Sequence, residues 1–402
     1  MKMLECHLKV AIISHEYPPF FFGGIGSYCY NLASNLAKKG ISTTVFTGRS
    51  NKIARERIND SLEIIRLPYL DFPPRPLWFQ LQNFKTISKH LDQYDVIHIA
   101  NPIPGAAFVH IAKKLRKPVV TTIHSVPPIY TLKSLFYSSF NDLSLGDVFY
   151  ELFEYPLRMS TMRFSLINSN HIISCGFYAL DKIKIYLGLD VQKASVINNG
   201  ISFDQIETGF SSLADANSKR DLSIFFVGRL FYFKGITYLL RALALLKQSL
   251  PNFKAEIFGN GPLQGKIRKL RLRLGLKNNV VLRGFVNDHK WFMKEMRRAD
   301  IVALPSLHEV GPSISALEAM AYKKPVVAFD LPFSREFIVN MENGLLAEPY
   351  DVEDLASKLY LLCSDASLRT KLGRNAYNYV KKNHNWSTLV DSYRTIYERV
   401  LS

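Results

Sequence analysis

The sequence predicts an α/β protein of two Rossmann-like domains, each built on a parallel sheet. Three observations point there. Short apolar runs alternate with segments of helical spacing, the rhythm of repeated βαβ units. That rhythm halts at Asn198-Asn199-Gly200 and restarts at Leu222. The 402 residues, 48% of them hydrophobic, suffice for two domains of ordinary size with a core each.

The first block opens on residues 8–14, an apolar run of strand length. Residues 15–26 follow as a loop that includes Gly23-Gly24-Ile25-Gly26. Residues 27–39 place Tyr28, Leu32 and Leu36 at helical spacing and stop at Gly40, since a glycine just past basic residues ends a helix. Residues 42–47 and 62–67 read as further strands. Residues 96–100, 119–123 and 171–174 read as short buried strands of the parallel kind. Residues 195–197 lead into the boundary turn, and 217–221 are polar loop.

The second block repeats the pattern. Strand 222–227 runs into Gly228-Arg229 and a helix over about 235–248. Strand 254–258 runs into Gly259-Asn260-Gly261-Pro262 and a basic helix. Residues 280–282, 301–304 and 326–329 are strands, and 351–363, 368–381 and 386–401 are helices. The expected division is an N-terminal domain over 1–199, a C-terminal domain over 200–384, and a last segment, 385–402, packing back on the first.

The formal net charge is +17, which implies an anionic partner. The basic residues stand in short clusters (Lys38–Lys39, Arg297–Arg298, Lys323–Lys324), and no nucleic-acid motif accompanies them. Cys6, Cys29, Cys175 and Cys363 are far apart without metal-ligand spacing, so free thiols in a cytosolic protein are expected and a zinc site is not. The apolar run at 10–13 is too short for a signal peptide, and no run of 18 apolar residues exists. The expected location is cytoplasmic, with a peripheral position on the inner face of the membrane as its extension.

Residues 300–346 are the most informative stretch. An apolar strand ends at Pro305-Ser306, and a loop brings His308, Glu309, Gly311 and Pro312. A helix opens near Ser313 with Glu318 in its second turn, and a strand from Pro325 closes the unit. Two carboxylates thus flank a helix N-terminus at the carboxyl end of a strand, where open α/β sheets bind ligands. The unbonded N–H groups of Ser313, Ile314 and Ser315 suit an anion. Ionised carboxylates only accept hydrogen bonds and so suit sugar hydroxyls. The pattern fits a molecule that is part phosphate and part sugar.

Glu318-Ala319-Met320-Ala321 followed by Lys324-Pro325-Val326-Val327 resembles the donor-site motif of retaining glycosyltransferases of the GT-B fold, of the family-four (group 1) type. The spacing departs from that family: eight residues separate Glu309 from Glu318, against seven. Further similarities run through nearly the whole chain: the Gly23-Gly24 loop, strand ends carrying His98 and His124, Asn199-Gly200, Gly228-Arg229 with Lys234-Gly235, and Gly259-Asn260-Gly261-Pro262.

The resemblance implies two domains facing each other across a cleft that holds the site. It implies a nucleotide-diphosphate sugar such as a UDP- or GDP-hexose as co-substrate, transfer with retention, no cofactor, and a lipid-linked or glycan acceptor. The chain contains no Asp-x-Asp motif, so positive charge for the departing diphosphate would come from Arg229 and Lys234 rather than a metal. Gly23 and Gly24 would admit the diphosphate against bare backbone. His124 would meet the donor sugar, with His98 and His15 as weaker candidates. Glu318 would bind the ribose and Glu309 the sugar ring, and Gly284 joins the donor set.

Two other classes stay open at this point. A nicotinamide-dependent oxidoreductase would use the Gly259-Asn260-Gly261 turn, with Arg283 meeting a 2′-phosphate. A non-catalytic nucleotide-sugar binding protein would use the same donor residues. Two segments stand outside the rhythm, 68–84 and 127–155, both rich in aromatic residues. They suit either a membrane face beside the basic clusters or helices of the core.

Overall fold

The computed structural model describes residues 8–20, 24–48, 52–70, 75–103, 105–124, 155–188, 193–204, 206, 221–286 and 289–402. These divide into two compact units: one holds the described residues up to Gly200 together with Trp386–Ser402, the other Ile201–Asn385.

The first unit carries a sheet of order β3-β4-β2-β1-β5-β6-β7-β8. Its strands are β1 (Lys9–Ile13), β2 (Ser42–Gly48), β3 (Ala54–Asn59), β4 (Leu62–Leu67), β5 (Val96–Ile99), β6 (Val119–Ile123), β7 (His171–Ser174) and β8 (Ala194–Val196). All pairings are parallel except β3 with β4. Strand β3, with the sequence ARERIN, escapes sequence reading because an exposed edge strand has no apolar face to announce it. Among its described residues before Ile201 lie the helices α1 (Gly24–Lys38), α2 (Arg75–Ser88), α3 (Ala106–Lys114), α4 (Tyr155–Ile167) and α5 (Phe177–Leu187).

Alternation along β1 divides the core. Val10 and Ile12 point to one face, where they meet Tyr28, Leu32 and Leu36 of α1. Ala11 and Ile13 point to the other, where Phe79 and Ile87 of α2 pack with Phe108 and Val109 of α3. Residues 75–84 of the first aromatic segment are therefore helix with Phe79 fully buried, which favours the core alternative for them, although Leu81 is 66% exposed. The second aromatic segment lies outside the described residues up to Tyr155, where α4 begins. The helix expected from Ser27 starts three residues earlier, so Gly24, Ile25 and Gly26 form its first turn rather than a loop.

The second unit carries a fully parallel sheet of order β11-β10-β9-β12-β13-β14. The strands are β9 (Leu222–Val227), β10 (Phe253–Phe258), β11 (Val280–Gly284), β12 (Ile301–Ala303), β13 (Val326–Phe329) and β14 (Gly344–Ala347). In chain order this is 3-2-1-4-5-6, the doubly wound arrangement whose direction of growth reverses between its first and fourth strands. Here those strands are β9 and β12. The helices are α6 (Ile236–Ser249), α7 (Gln264–Arg273), α8 (His289–Met296), α9 (Ile314–Ala321), α10 (Pro332–Arg335), α11 (Val352–Ser364) and α12 (Ala366–Asn383). Asp351 and Asp365 cap α11 and α12, each accepting from an N–H three residues on, which fixes where those helices begin.

The last helix, α13 (Trp386–Leu401), belongs to the first unit. Its buried residues Trp386, Val390, Tyr393 and Tyr397 recur every three or four positions and join the α1 face of that core. No helix among the described residues is long and apolar enough to cross a membrane.

Candidate functional site

Where a doubly wound sheet reverses, the chain leaves two neighbouring strands in opposite senses, and their carboxyl ends open a crevice. In the second unit β9 and β12 flank that point. Arg229 stands two residues past β9 and Lys234 five further on; Glu309 stands six past the end of β12. Sheet topology alone therefore gathers three of the predicted residues at one edge.

Local chemistry closes the distance. Gly235 has φ +67°, and a Cβ there would fall 1.8 Å from the Pro305 carbonyl oxygen. Only glycine lets the turn Tyr232–Lys234 approach the end of β12 this closely. The approach is sealed where Leu307 N–H donates to the Phe233 carbonyl at 2.7 Å. Lys234 Nζ then donates to the Glu309 carboxylate, which also accepts from Ser306 Oγ at 2.9 Å. Lys234 and Glu309 are 18% and 17% exposed, so the pair is screened from water on most sides. Arg229 is exposed, with its guanidinium 5.0 Å from the Phe231 ring and 5.9 Å from Phe233; Lys234 Nζ lies 5.8 Å from the same Phe233 ring. Two cations thus share one aromatic platform, which holds like charges close without a salt bridge to the arginine.

Helix α9 begins beside Glu309 in sequence. Ser313 is its N-cap, and its Oγ accepts from Ala316 N–H at 3.2 Å. The N–H groups of Ile314 and Ser315 open the helix, where no carbonyl of a preceding turn exists to bond them. Glu318, in the second turn, is only 8% exposed. Gly284 ends β11 with φ +75°, and its carbonyl accepts from Gly259 N–H at 2.8 Å. Gly259 itself has φ +136°, and a Cβ there would sit 1.9 Å from the Gly228 carbonyl oxygen, so the turn after β10 presses on the one that carries Arg229. Of the donor set, Arg229, Lys234, Gly284, Glu309, Ser313, Ile314, Ser315 and Glu318 all belong to this edge of the second unit.

The remaining candidates belong to the first unit. Gly23 lies outside the described residues, and Gly24 opens α1. His124 follows β6. Its Nδ1 lies 3.3 Å from Cys175 Sγ, and the Tyr28 ring packs edge-on with centroids 4.1 Å apart. Burial pushes His124 down to about 3, so it is neutral near pH 7. His15 and Glu16 follow β1 as a buried pair, 3.3 Å apart.

His98 is a different case. It is wholly buried inside β5, its Nδ1 meeting Tyr397 Oη of α13 at 2.7 Å and its Nε2 meeting Thr122 Oγ1 at 3.0 Å. Burial pushes it, too, down to about 3. With both ring nitrogens bonded to protein, His98 is a core residue that ties the last helix to the sheet, and the structure removes it from the ligand set.

Sequence reading missed Ser306, Tyr28, Cys175 and Tyr397, because a serine, a cysteine or a tyrosine carries no signal until its partner is known. The dinucleotide alternative loses its anchor: Arg283 Nε donates to the buried Glu256 at 2.5 Å, which holds the guanidinium on the sheet and raises its pKa further.

Two family models match the chain. Residues 22–205 match Glycosyltransferase Family 4, and residues 213–379 match Glycosyl transferases group 1. An uncharacterized glycosyltransferase of Methanocaldococcus jannaschii is 28% identical over 405 residues, spanning 97% of this chain and 98% of that protein. Among solved structures, sucrose-phosphate synthase from Thermosynechococcus elongatus is similar with a TM-score of 0.77 at 20% identity, over 98% of this chain and 99% of that one. Anabaena HepE in complex with UDP-glucose is similar with a TM-score of 0.69 at 18% identity, over 98% and 99%. Two parallel-sheet units, a glycosyltransferase family model over each half and these neighbours together identify the chain as a glycosyltransferase of the GT-B fold.

Proposed function

We propose that the chain transfers a hexose from a nucleotide-diphosphate sugar to a lipid-linked or glycan acceptor, with retention at the anomeric carbon and without a metal. One observation carries the reading: Arg229, Lys234 and the N-terminus of α9 all belong to the reversal point of the second sheet. Two cations and a set of free helix N–H groups suit a diphosphate. The absence of an Asp-x-Asp motif leaves these residues to stabilise the leaving group. That HepE is seen with UDP-glucose supports a nucleotide sugar of this kind.

In this reading the diphosphate lies against Arg229, Lys234, Ile314 and Ser315, with Gly284 leaving room beside it. Glu318 accepts from the ribose hydroxyls, Glu309 faces the sugar, and His124 meets a sugar hydroxyl. Gly24 opens α1 with backbone N–H groups that also suit phosphate. The bond from the anomeric carbon to the phosphate oxygen breaks while a bond to the acceptor oxygen forms on the same face. The acceptor's proton passes to the departing diphosphate, so no side chain is assigned as a general base.

The test begins with thermal shifts against UDP-, GDP- and ADP-sugars and NADPH, since a ligand of the folded state raises apparent stability by mass action. The nucleotide sugar that shifts the midpoint is then offered with candidate acceptors, and the anomeric configuration of the product is read by NMR. A shift with NADPH alone, or an inverted product, overturns the proposal.

A further inference from the structure

We infer that Cys175 is a positioning residue for this transfer: its thiol donates to Nδ1 of His124 and so fixes the ring as the tautomer with its proton on Nε2. The inference rests on the proposed reading that His124 meets the transferred sugar, and it adds which nitrogen does so and in which role.

The placement follows from strand register. Strands β6 and β7 are parallel neighbours with Ile123 paired to Ser174, so the residues that follow, His124 and Cys175, come side by side as the strands end. Sγ and Nδ1 are 3.3 Å apart, within hydrogen-bond reach for sulfur, and Cys175 is fully buried. The Tyr28 ring packs edge-on against the imidazole and restrains its rotation. Tyr28 is itself held, its hydroxyl 2.9 Å from Thr122 Oγ1.

The direction of the bond follows from the donors. A thiol donates weakly, but its sulfur accepts more weakly still, whereas an imidazole nitrogen with a free lone pair is a good acceptor. A neutral imidazole carries one proton, and the bond made at one nitrogen decides which nitrogen holds it. With Nδ1 accepting from Cys175, the proton sits on Nε2. That nitrogen is buried and meets no hydrogen-bond partner in the structure. A buried N–H donor without a protein partner is satisfied when a sugar hydroxyl accepts from it. His124 then acts as a fixed neutral donor rather than as an acid or a base.

The experiment uses the full chain labelled with ¹⁵N-histidine. Two-bond ¹H–¹⁵N spectra distinguish the two neutral tautomers, with His124→Gln supplying the assignment. The expected wild-type pattern is Nε2–H. Cys175→Ser, which keeps a donor of similar size, retains that pattern and keeps turnover within about twofold. Cys175→Ala loses the single fixed tautomer and lowers kcat about tenfold, the rate equivalent of one hydrogen bond, with its thermal midpoint confirming that it is folded. A wild-type Nδ1–H pattern, or an unchanged spectrum in Cys175→Ala, overturns the inference. Full turnover in His124→Ala overturns the assignment of His124 to the sugar instead, a result that the spectra do not depend on.

Discussion

Replacing Lys234 by alanine separates a structural role of this lysine from a catalytic one, because the two losses differ in size. Structurally, Lys234→Ala leaves Glu309 with its Ser306 bond but without its cation. Exposed ion pairs are worth up to about 1 kcal/mol, and breaking a buried one costs about 3–5 kcal/mol. At 18% and 17% exposure, and with one hydrogen bond kept, this pair falls between, at about 1–2 kcal/mol. For a domain of 150–250 residues that lowers the midpoint by roughly 2–8 °C, too little to unfold the protein at assay temperature. Catalytically, a charge-assisted hydrogen bond to phosphate is worth about 1.5–3 kcal/mol. If it strengthens as the diphosphate departs, kcat/KM falls about 10- to 150-fold. The assay pairs steady-state kinetics on the donor found by thermal shift with a melting curve of the same preparation. The predicted outcome is a folded protein with a loss above tenfold. A variant that melts a few degrees low but keeps kcat/KM within twofold of wild type would refute the assignment and leave Lys234 as a structural partner of Glu309.

The other predictions concern the same site and the first unit. Glu318→Gln should weaken nucleotide-sugar binding more than Glu309→Gln, because Glu309 already neutralises Lys234 in the free protein and its amide releases that cation to the phosphates; dissociation constants in the reverse order refute this. EDTA should leave turnover within about twofold, a change of about 0.4 kcal/mol in the barrier, and full loss restored by Mn²⁺ or Mg²⁺ would expose a metal site. His98 titrates near 3 when folded against about 6.5 unfolded, so the unfolded chain binds the extra proton between those values. Its contribution to stability is complete above pH 6.5 and is lost as pH falls toward 3, by up to about 1.4 kcal/mol per pH unit. His98→Gln should flatten that slope in denaturant titrations, and an unchanged slope would show His98 protonated in the fold. Liposome co-sedimentation tests a membrane role: with Leu157, Phe164 and Ile167 exposed on α4 and a net charge of +17, binding to anionic vesicles should fall as salt rises, and a protein left in the supernatant at low salt refutes it.

What the sequence by itself determined is whatever a short window encodes. Residues 119–123 and 222–227 announce buried strands because every side chain in them is apolar or small, and residues 386–401 announce a helix because Trp386, Val390, Tyr393 and Tyr397 recur on one face. The donor-site residues were legible one at a time for the same reason: each follows a strand or opens a helix. Windows also set the limits. Strand β3 alternates charged residues at an edge and shows no apolar period, and β14 has only four residues.

Only the tertiary structure decided which of these residues meet. Lys234 and Glu309 are 75 positions apart, and they pair because the sheet reverses between β9 and β12 and because Gly235 alone tolerates the Pro305 carbonyl. Cys175 meets His124 through the register of two parallel strands 51 positions apart. His98, read in sequence as a site candidate, is bonded across 299 positions to Tyr397, which makes it core. Strand order, register and the return of the last helix depend on how a whole core closes, and no local pattern of side chains contains that information.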